Sequence, residues 1–477
     1  MYTEKDRKNN ENGQIIVLLA VSLVVVLVVA ALAIDGGMIY TERRQAQNAA
    51  DAASLAGGGE VLYYMEKLVG DVYQMEYSNF DCTPLIPLAK EEARLVAANN
   101  NFNIPYLGYK VIYQNKSEKF FPSVEGYNEN ADEGVIIICD MSKRNLGVQV
   151  KITSSISTAF AHLIFPGPLK TTNIAVTKVV PRTNVGYGFN IISLNDLCSG
   201  TKEGLIVSGT TTITLRGEGG GMFSYSCIDG NGTVTVIAEN GEILSVMEFS
   251  EENKPKFIPD VLGGQEPLTI DFPDPPKCPD SAPISLPNIG NNNIENLNPG
   301  NYTGIKMTAG NLTFGSGLYC FTGDIDISGG NVTGESVTFY MEDGNIKITG
   351  GLVKLAAPGE KYADEKQTDA DMPGMLIYKL KNVDGKDTIT IVGNNGSSLS
   401  GTILAPTTSV AIGGTADPSS YESEVCDFID GENVCQAVTF ATQIIALNVK
   451  VSGTSAIDFL FDKTKFYYNV GSLYLEK

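Results

Sequence analysis

Residues 15–34 read "IIVLLAVSLVVVLVVAALAI", twenty positions whose only polar side chain is Ser22. At about 1.5 Å of rise per residue such a segment spans about 30 Å as a helix, the thickness of a bilayer's hydrocarbon core. No other feature narrows the outcome as much, because a spanning segment must satisfy its backbone within itself. The run ends at Asp35, two glycines follow, and the chain then continues without glycine or proline from Tyr40 to Ala56. Glycine costs a helix about 1 kcal/mol but does not forbid it. One long helix leaving the membrane, with a hinge at Gly36–Gly37, is the expectation; a non-helical gap at 35–38 would contradict it. A cleaved leader is the alternative, with "ALA" at 31–33 as its exit.

Flanking cations favour an N-terminus inside the cell: Lys5, Arg7 and Lys8 precede the span, whereas Arg43 and Arg44 follow after a spacer. The rest of the chain then lies outside the cytoplasm. Its eight cysteines contain no C-x-x-C pair and there is one histidine, which argues against structural zinc. An exported chain uses such cysteines as disulfides, and buried thiols are the alternative. The best local pair is Cys426–Cys435, flanking the polar loop "CDFIDGENVC". The net charge of −21 and the lack of a Lys/Arg cluster exclude a phosphate-binding surface, so nucleic acid is not an expected partner.

Beyond the span, Ala46, Ala50 and Ala53 share one helix face, a spacing that lets another helix or a sheet approach closely. The window "GQIIVLLAVSLVVVLVVAALAIDGGMIYTERRQAQNAADAASLAGG" (13–58) resembles the N-terminal segment of the tight-adherence (Tad, TadE/TadG-like) pilus-assembly proteins. Gly13, Asp35, Tyr40, Arg43, Gln47, Ala50, Asp51, Ala52, Ala53, Leu55 and Ala56 carry the resemblance. Pilin precursors cut by a prepilin peptidase have a glutamate five residues beyond the glycine; here that residue is Leu18. The resemblance therefore implies a membrane-retained accessory protein rather than a major pilus subunit, with the bilayer and pseudopilin-like or other assembly proteins as partners.

Residues 60–183 read as a small pilin-like α+β unit. Helical spacing in "PLAKEEARLVAANNNF" puts Leu88, Glu92, Leu95 and Val96 on one side; "YKVIYQ" (109–114), "GVIIIC" (134–139), "VQVKITSSI" (148–156) and "NIAVTKVVP" (173–181) read as strands. A turn, "STAFAHLIFPG" (157–167), separates the last two and holds His162, read as a packed or partly exposed histidine without a catalytic role.

From residue 184 an element of alternating apolar residues ending in glycine recurs: "LIVSGT", "IDISGG", "IKITGG", "ITIVGN", "VAIGG" and "VKVSGT". From Gly329 the steps are 21, 43, 20 and 40, read as one, two, one and two units. That period suits a right-handed parallel β-solenoid (β-helix) over 184–477, with glycines at positive φ in the corners. An antiparallel sandwich is the competing fold. Nine prolines in 251–287 deny ladder hydrogen bonds, so 251–300 reads as an excursion or a linker.

The expected organisation is thus a cytoplasmic 1–14, a transmembrane helix 15–34, a helical extension 35–59, the α+β unit 60–183 and the solenoid 184–477. In class the chain is membrane-anchored α+β plus all-β. It is expected to be single-pass, to act by association, and to have no catalytic, metal or cofactor residues. Two alternatives share the scaffold: a membrane-tethered carbohydrate-active enzyme, with Asp324 and Asp326 as its carboxylate pair and Lys347 as a basic partner for developing anionic charge, and a glycan-binding adhesin. "RGEGGGMF" (216–223) lacks the lysine and the strand-to-helix setting of a phosphate loop and reads as a turn.

Overall fold

The computed structural model describes residues 11–476 apart from 68–81, 114, 144, 157, 162–166, 181–182, 199–203, 218, 248–254, 291–292, 360–371, 382–386, 394–396, 415–423, 430–431, 438–439, 454–456, 463 and 470. His162 lies outside the described residues. The chain divides into two units.

The first unit is built on α1 (Glu11–Lys67), an unbroken helix of 57 residues that runs through Gly36 and Gly37. It contains the one described helix long and apolar enough to cross a membrane. Its apolar run is exposed, with Leu18 and Leu32 at 68% and 67%. From Ala46 onward one face is buried: Ala46, Ala49, Ala50, Ala53 and Val61. That face lies on the sheet and on α2 (Ile86–Asn99). A Cβ at Gly57 would stand 2.7 Å from the Ala89 carbonyl oxygen and 3.0 Å from the Ala93 Cβ. The alanine and glycine spacing thus serves close packing. On α2 the buried side is Ile86, Ala89, Ala93 and Ala97, whereas Leu95 is 54% exposed. The side that carries Leu88, Glu92, Leu95 and Val96 is thus not the buried one, because the close approach to α1 admits alanine and not leucine.

The sheet under α1 holds β1 (Tyr106–Ile112), β2 (Glu118–Pro122), β3 (Gly134–Asp140), β4 (Asn145–Ile156) and β5 (Leu169–Val180) in the order β2-β1-β3-β4-β5. A C-terminal strand, Ser472–Glu476, adds to β5 antiparallel, with Tyr474 opposite Lys178. The expectation that 184–477 forms one body is corrected here: its last strand belongs to the first unit. Cys82 and Cys139 are disulfide-bonded, tying the start of α2 to β3.

The second unit, Thr183–Asn469, carries a 23-stranded sheet. All the described pairs within that 23-stranded sheet are parallel, which removes the antiparallel sandwich. Strands pair with those one repeat further on, so equivalent residues form columns. Ile305, Ile325, Ile346, Ile389, Val410, Val449, Leu205 and Ile228 make one column, all buried. Each full burial contributes roughly 1.5–3 kcal/mol, and only stacking can supply it. Polar columns run alongside: the Asn311 amide donates to Asn293 Oδ1 at 3.0 Å and Asn331 to Asn311 Oδ1 at 2.8 Å.

Three expectations change. The steps of 43 and 40 are single layers with insertions, since Ile346 pairs directly with Ile389 and Val410 with Val449. The second insertion is the hairpin Glu424–Ile429/Glu432–Ala437. The positive φ of the "SGG" and "TGG" corners falls on Gly330 and Gly351, one residue later than read; a Cβ on Gly329 or Gly350 would instead strike the Thr308 or Ser328 carbonyl of the layer beneath.

Layer order also departs from chain order. The first layer, with Ile191–Ser193, Leu205–Gly209 and Thr212–Arg216, stacks on the last, Phe440–Gly453 with Ile457–Leu460. The chain therefore enters the stack in its middle, builds outward to Lys256–Ile258, and must return to the opposite end before Asn293. The proline-rich stretch makes that return. The hydroxyls of Tyr225, Tyr187 and Tyr378 donate to the carbonyls of Leu268, Thr269 and Pro273, and Asn469 donates to the Asp271 carbonyl at 2.8 Å. Side chains of the stack thus satisfy carbonyls that no ladder reaches. Disulfides Cys278–Cys320 and Cys198–Cys227 fasten the return segment and the first layer. At its ends the stretch bridges both terminal layers, Leu262 to Leu244 and Ile284 to Tyr302, so prolines border edges that would otherwise template another chain.

Candidate functional site

The residues carrying the resemblance cluster on α1 where the apolar run ends. Asp35 is only 4% exposed, although nineteen of the twenty positions before it are exposed. Its Oδ1 accepts the Ala159 amide at 2.7 Å, both oxygens accept the Phe160 amide at 3.1 and 3.0 Å, and Oδ2 accepts the Ala161 amide. Three consecutive backbone donors in the turn after β4 so form a nest around one carboxylate. Burial pushes the Asp35 carboxyl up, and the amides of Ala161, Phe160 and Ala159 outweigh it, holding it below the usual carboxylate value. Asp35 is therefore not the hydrated end-marker that its position after the span suggests. The turn 157–167 could be read from sequence; its use as an anion nest could not, because amides carry no residue signature.

The other motif residues separate. Tyr40 is 63% exposed, with the Arg44 guanidinium 5.9 Å from its ring centroid, and Arg43 also points outward. Gln47 donates to Asp51 Oδ1 at 2.7 Å, one helical turn on. Beside them Ser54 donates to the Asp51 carbonyl and receives the Thr177 hydroxyl at 2.9 Å, a buried tie from α1 to β5 that sequence reasoning did not find. Gly13 lies in the first turn of α1.

Residues 13–60 match the family described as "Putative Flp pilus-assembly TadE/G-like". The match covers the apolar run, Asp35 and the alanine face, and ends within α1. No curated protein and no solved structure matches the chain.

In the second unit Asp324 and Asp326 flank Ile325 and face outward. Asp324 Oδ1 accepts the Asn345 amide at 2.7 Å and its side chain at 3.2 Å, a corner contact between layers. Asp326 stands in register between Lys306 and Lys347, so charge alternates along an outer column. Cys426 and Cys435 are directly opposite in the antiparallel hairpin, and their side chains lie outside the described residues. Among the described residues no group of three or more His, Cys, Asp or Glu is placed to hold a metal.

Proposed function

We propose that this chain is a membrane-anchored, non-catalytic accessory protein of a Tad/Flp-type pilus-assembly system. One observation carries the reading: the segment similar to that family is a single helix whose first part is apolar and exposed, and whose remainder is docked on a sheet through Asp35 and an alanine face. Residues 15–34 hold the chain in the bilayer, with the N-terminus cytoplasmic and the larger part outside. Three disulfides suit an oxidising exterior. The parallel columns, repeating every 20 or 21 residues, support a right-handed β-solenoid as the displayed part. The outward Tyr40–Arg44 region of α1 is the surface offered to other assembly proteins. In the enzyme alternative Asp324 would need freedom, and Asn345 holds it.

The test is membrane extraction together with pilus assembly. The full chain should remain in the membrane pellet through alkaline carbonate, a chain lacking residues 1–34 should not, and cells with only the truncated chain should show fewer assembled pili. Release of the full chain by carbonate, or unchanged piliation, would refute the proposal.

A further inference from the structure

Asp35 is the first residue after the apolar run, so its side chain lies at the level where the span meets water or headgroups. The amides of Ala159, Phe160 and Ala161 are within hydrogen-bond distance of that side chain. The β4–β5 turn is thereby pinned at the height of the membrane surface, beside the helix that crosses it. Among the described residues at this end of the hairpin, two large apolar side chains are exposed. Phe160 is 44% exposed and Leu169, opposite Ile156 at the tip of the hairpin, is 38% exposed. Lys170, next along, is exposed as well. Two apolar side chains with a neighbouring cation are the composition of an interfacial membrane contact, where rings and aliphatic groups enter the acyl boundary and a lysine meets lipid phosphate.

We infer that the β4–β5 turn is a second, interfacial membrane contact, which seats the α+β unit directly on a phospholipid bilayer through Phe160 and Leu169 with Lys170 at the headgroups. The turn is hydrogen-bonded to the residue that directly follows the exposed apolar run of α1, and this names the bilayer as its occupant. The same arrangement accounts for the nest. A carboxylate at the edge of a low-dielectric slab needs donors, and the seated turn brings three that water would otherwise supply. The inference rests on the membrane-anchor reading of residues 15–34.

The chain has no tryptophan, so single substitutions give unambiguous fluorescence. Full-length protein in phosphatidylcholine vesicles, with lipids brominated high on the acyl chain, would be examined as Phe160→Trp, Leu169→Trp, Leu32→Trp and Tyr474→Trp. Tyr474 pairs with Lys178, eight residues along β5 from Lys170, or roughly 26 Å at strand rise. The expected result is loss of emission at Leu32→Trp and at both turn positions, with Tyr474→Trp unaffected. Quenching at Leu32→Trp but at neither turn position overturns this inference and leaves the anchor standing. An unquenched Leu32→Trp overturns the anchor, and the inference with it. Equal quenching at the turn and at Tyr474→Trp also overturns it, since contact would then not be specific to the turn.

Discussion

Replacing Gly57 and Gly59 separately by alanine should give opposite signs, although both lie on α1 within one turn of each other. Helix propensity alone favours alanine by about 1 kcal/mol at either site. At Gly59 the only neighbour of a new Cβ among the described residues is Leu473 Cδ1 at 3.9 Å, an ordinary contact, so the gain is realised. At Gly57 the Cβ meets the Ala89 carbonyl oxygen at 2.7 Å, Ala93 Cβ at 3.0 Å and Val148 Cγ1 at 3.1 Å. Those atoms belong to α2 and to β4, on two sides, so α1 cannot retreat from one without pressing on the other. Overpacking of this kind costs about 1–3 kcal/mol, which cancels or exceeds the propensity gain. The two variants should therefore differ by about 1–3 kcal/mol, or roughly 5- to 150-fold in an opening equilibrium. Hydrogen exchange of α2 amides in the full chain, in detergent, reads that ratio directly. If α2 in Gly57→Ala exchanges as slowly as in Gly59→Ala, the claim that alanine and glycine spacing on α1 serves close helix approach is refuted.

Asp35→Asn should speed exchange at the amides of Ala159, Phe160 and Ala161. In the parent chain their protection should hold at neutral pH and fall only as the pH drops below the ordinary carboxylate value of 3.8, since a lowered folded pKa stabilises above it and is lost by protonation; the Asn variant should show no such acid step. Ile346→Ala, from a side chain 1% exposed within its column, should cost about 2–5 kcal/mol and deprotect the strands of Ile325 and Ile389 before distant layers; uniform deprotection would argue against nearest-neighbour stacking. Digestion without reductant should yield a linked peptide pair containing Cys426 and Cys435, which stand opposite in the hairpin; alkylation of either before reduction would refute that pairing.

How much could be read from the sequence follows from which signals side chains carry. The apolar run, α2 and the strands β1, β3, β4 and β5 were legible, because each follows a period that burial enforces. The buried face of α2 was not legible from its leucines; where two helices nearly touch, the mark is alanine, and Ala89, Ala93 and Ala97 are buried while Leu95 is exposed. Repeat spacing revealed layers but not their order: the pairing of Gly209 with Gly453 is a contact between the two ends of the second unit, and periodicity has no term for it. Nor does periodicity show that the 120 residues from Gly209 to Gly329 hold further layer segments as well as the return stretch. The partners of Asp35 were hidden because three backbone amides of a turn look the same in any sequence.

The glycine pair that first suggested a hinge bears on how the anchor meets the folded unit. Among the described residues nothing lies within 4 Å of a would-be Cβ at Gly36 or Gly37, and together they weaken the helix by about 2 kcal/mol. Yet the weak stretch is held on both sides by one body: Asp35 before it is bound by the turn after β4, and Ala46 after it is buried in the same unit. Bending at Gly36–Gly37 would therefore have to break either the three-amide nest or the alanine face. Freedom between the membrane and the folded unit thus begins on the N-terminal side of Asp35, inside the apolar run, where all side chains but Ala31 are exposed. The glycines are the weakest part of the helix and, because of Asp35, not the place where it is free to bend.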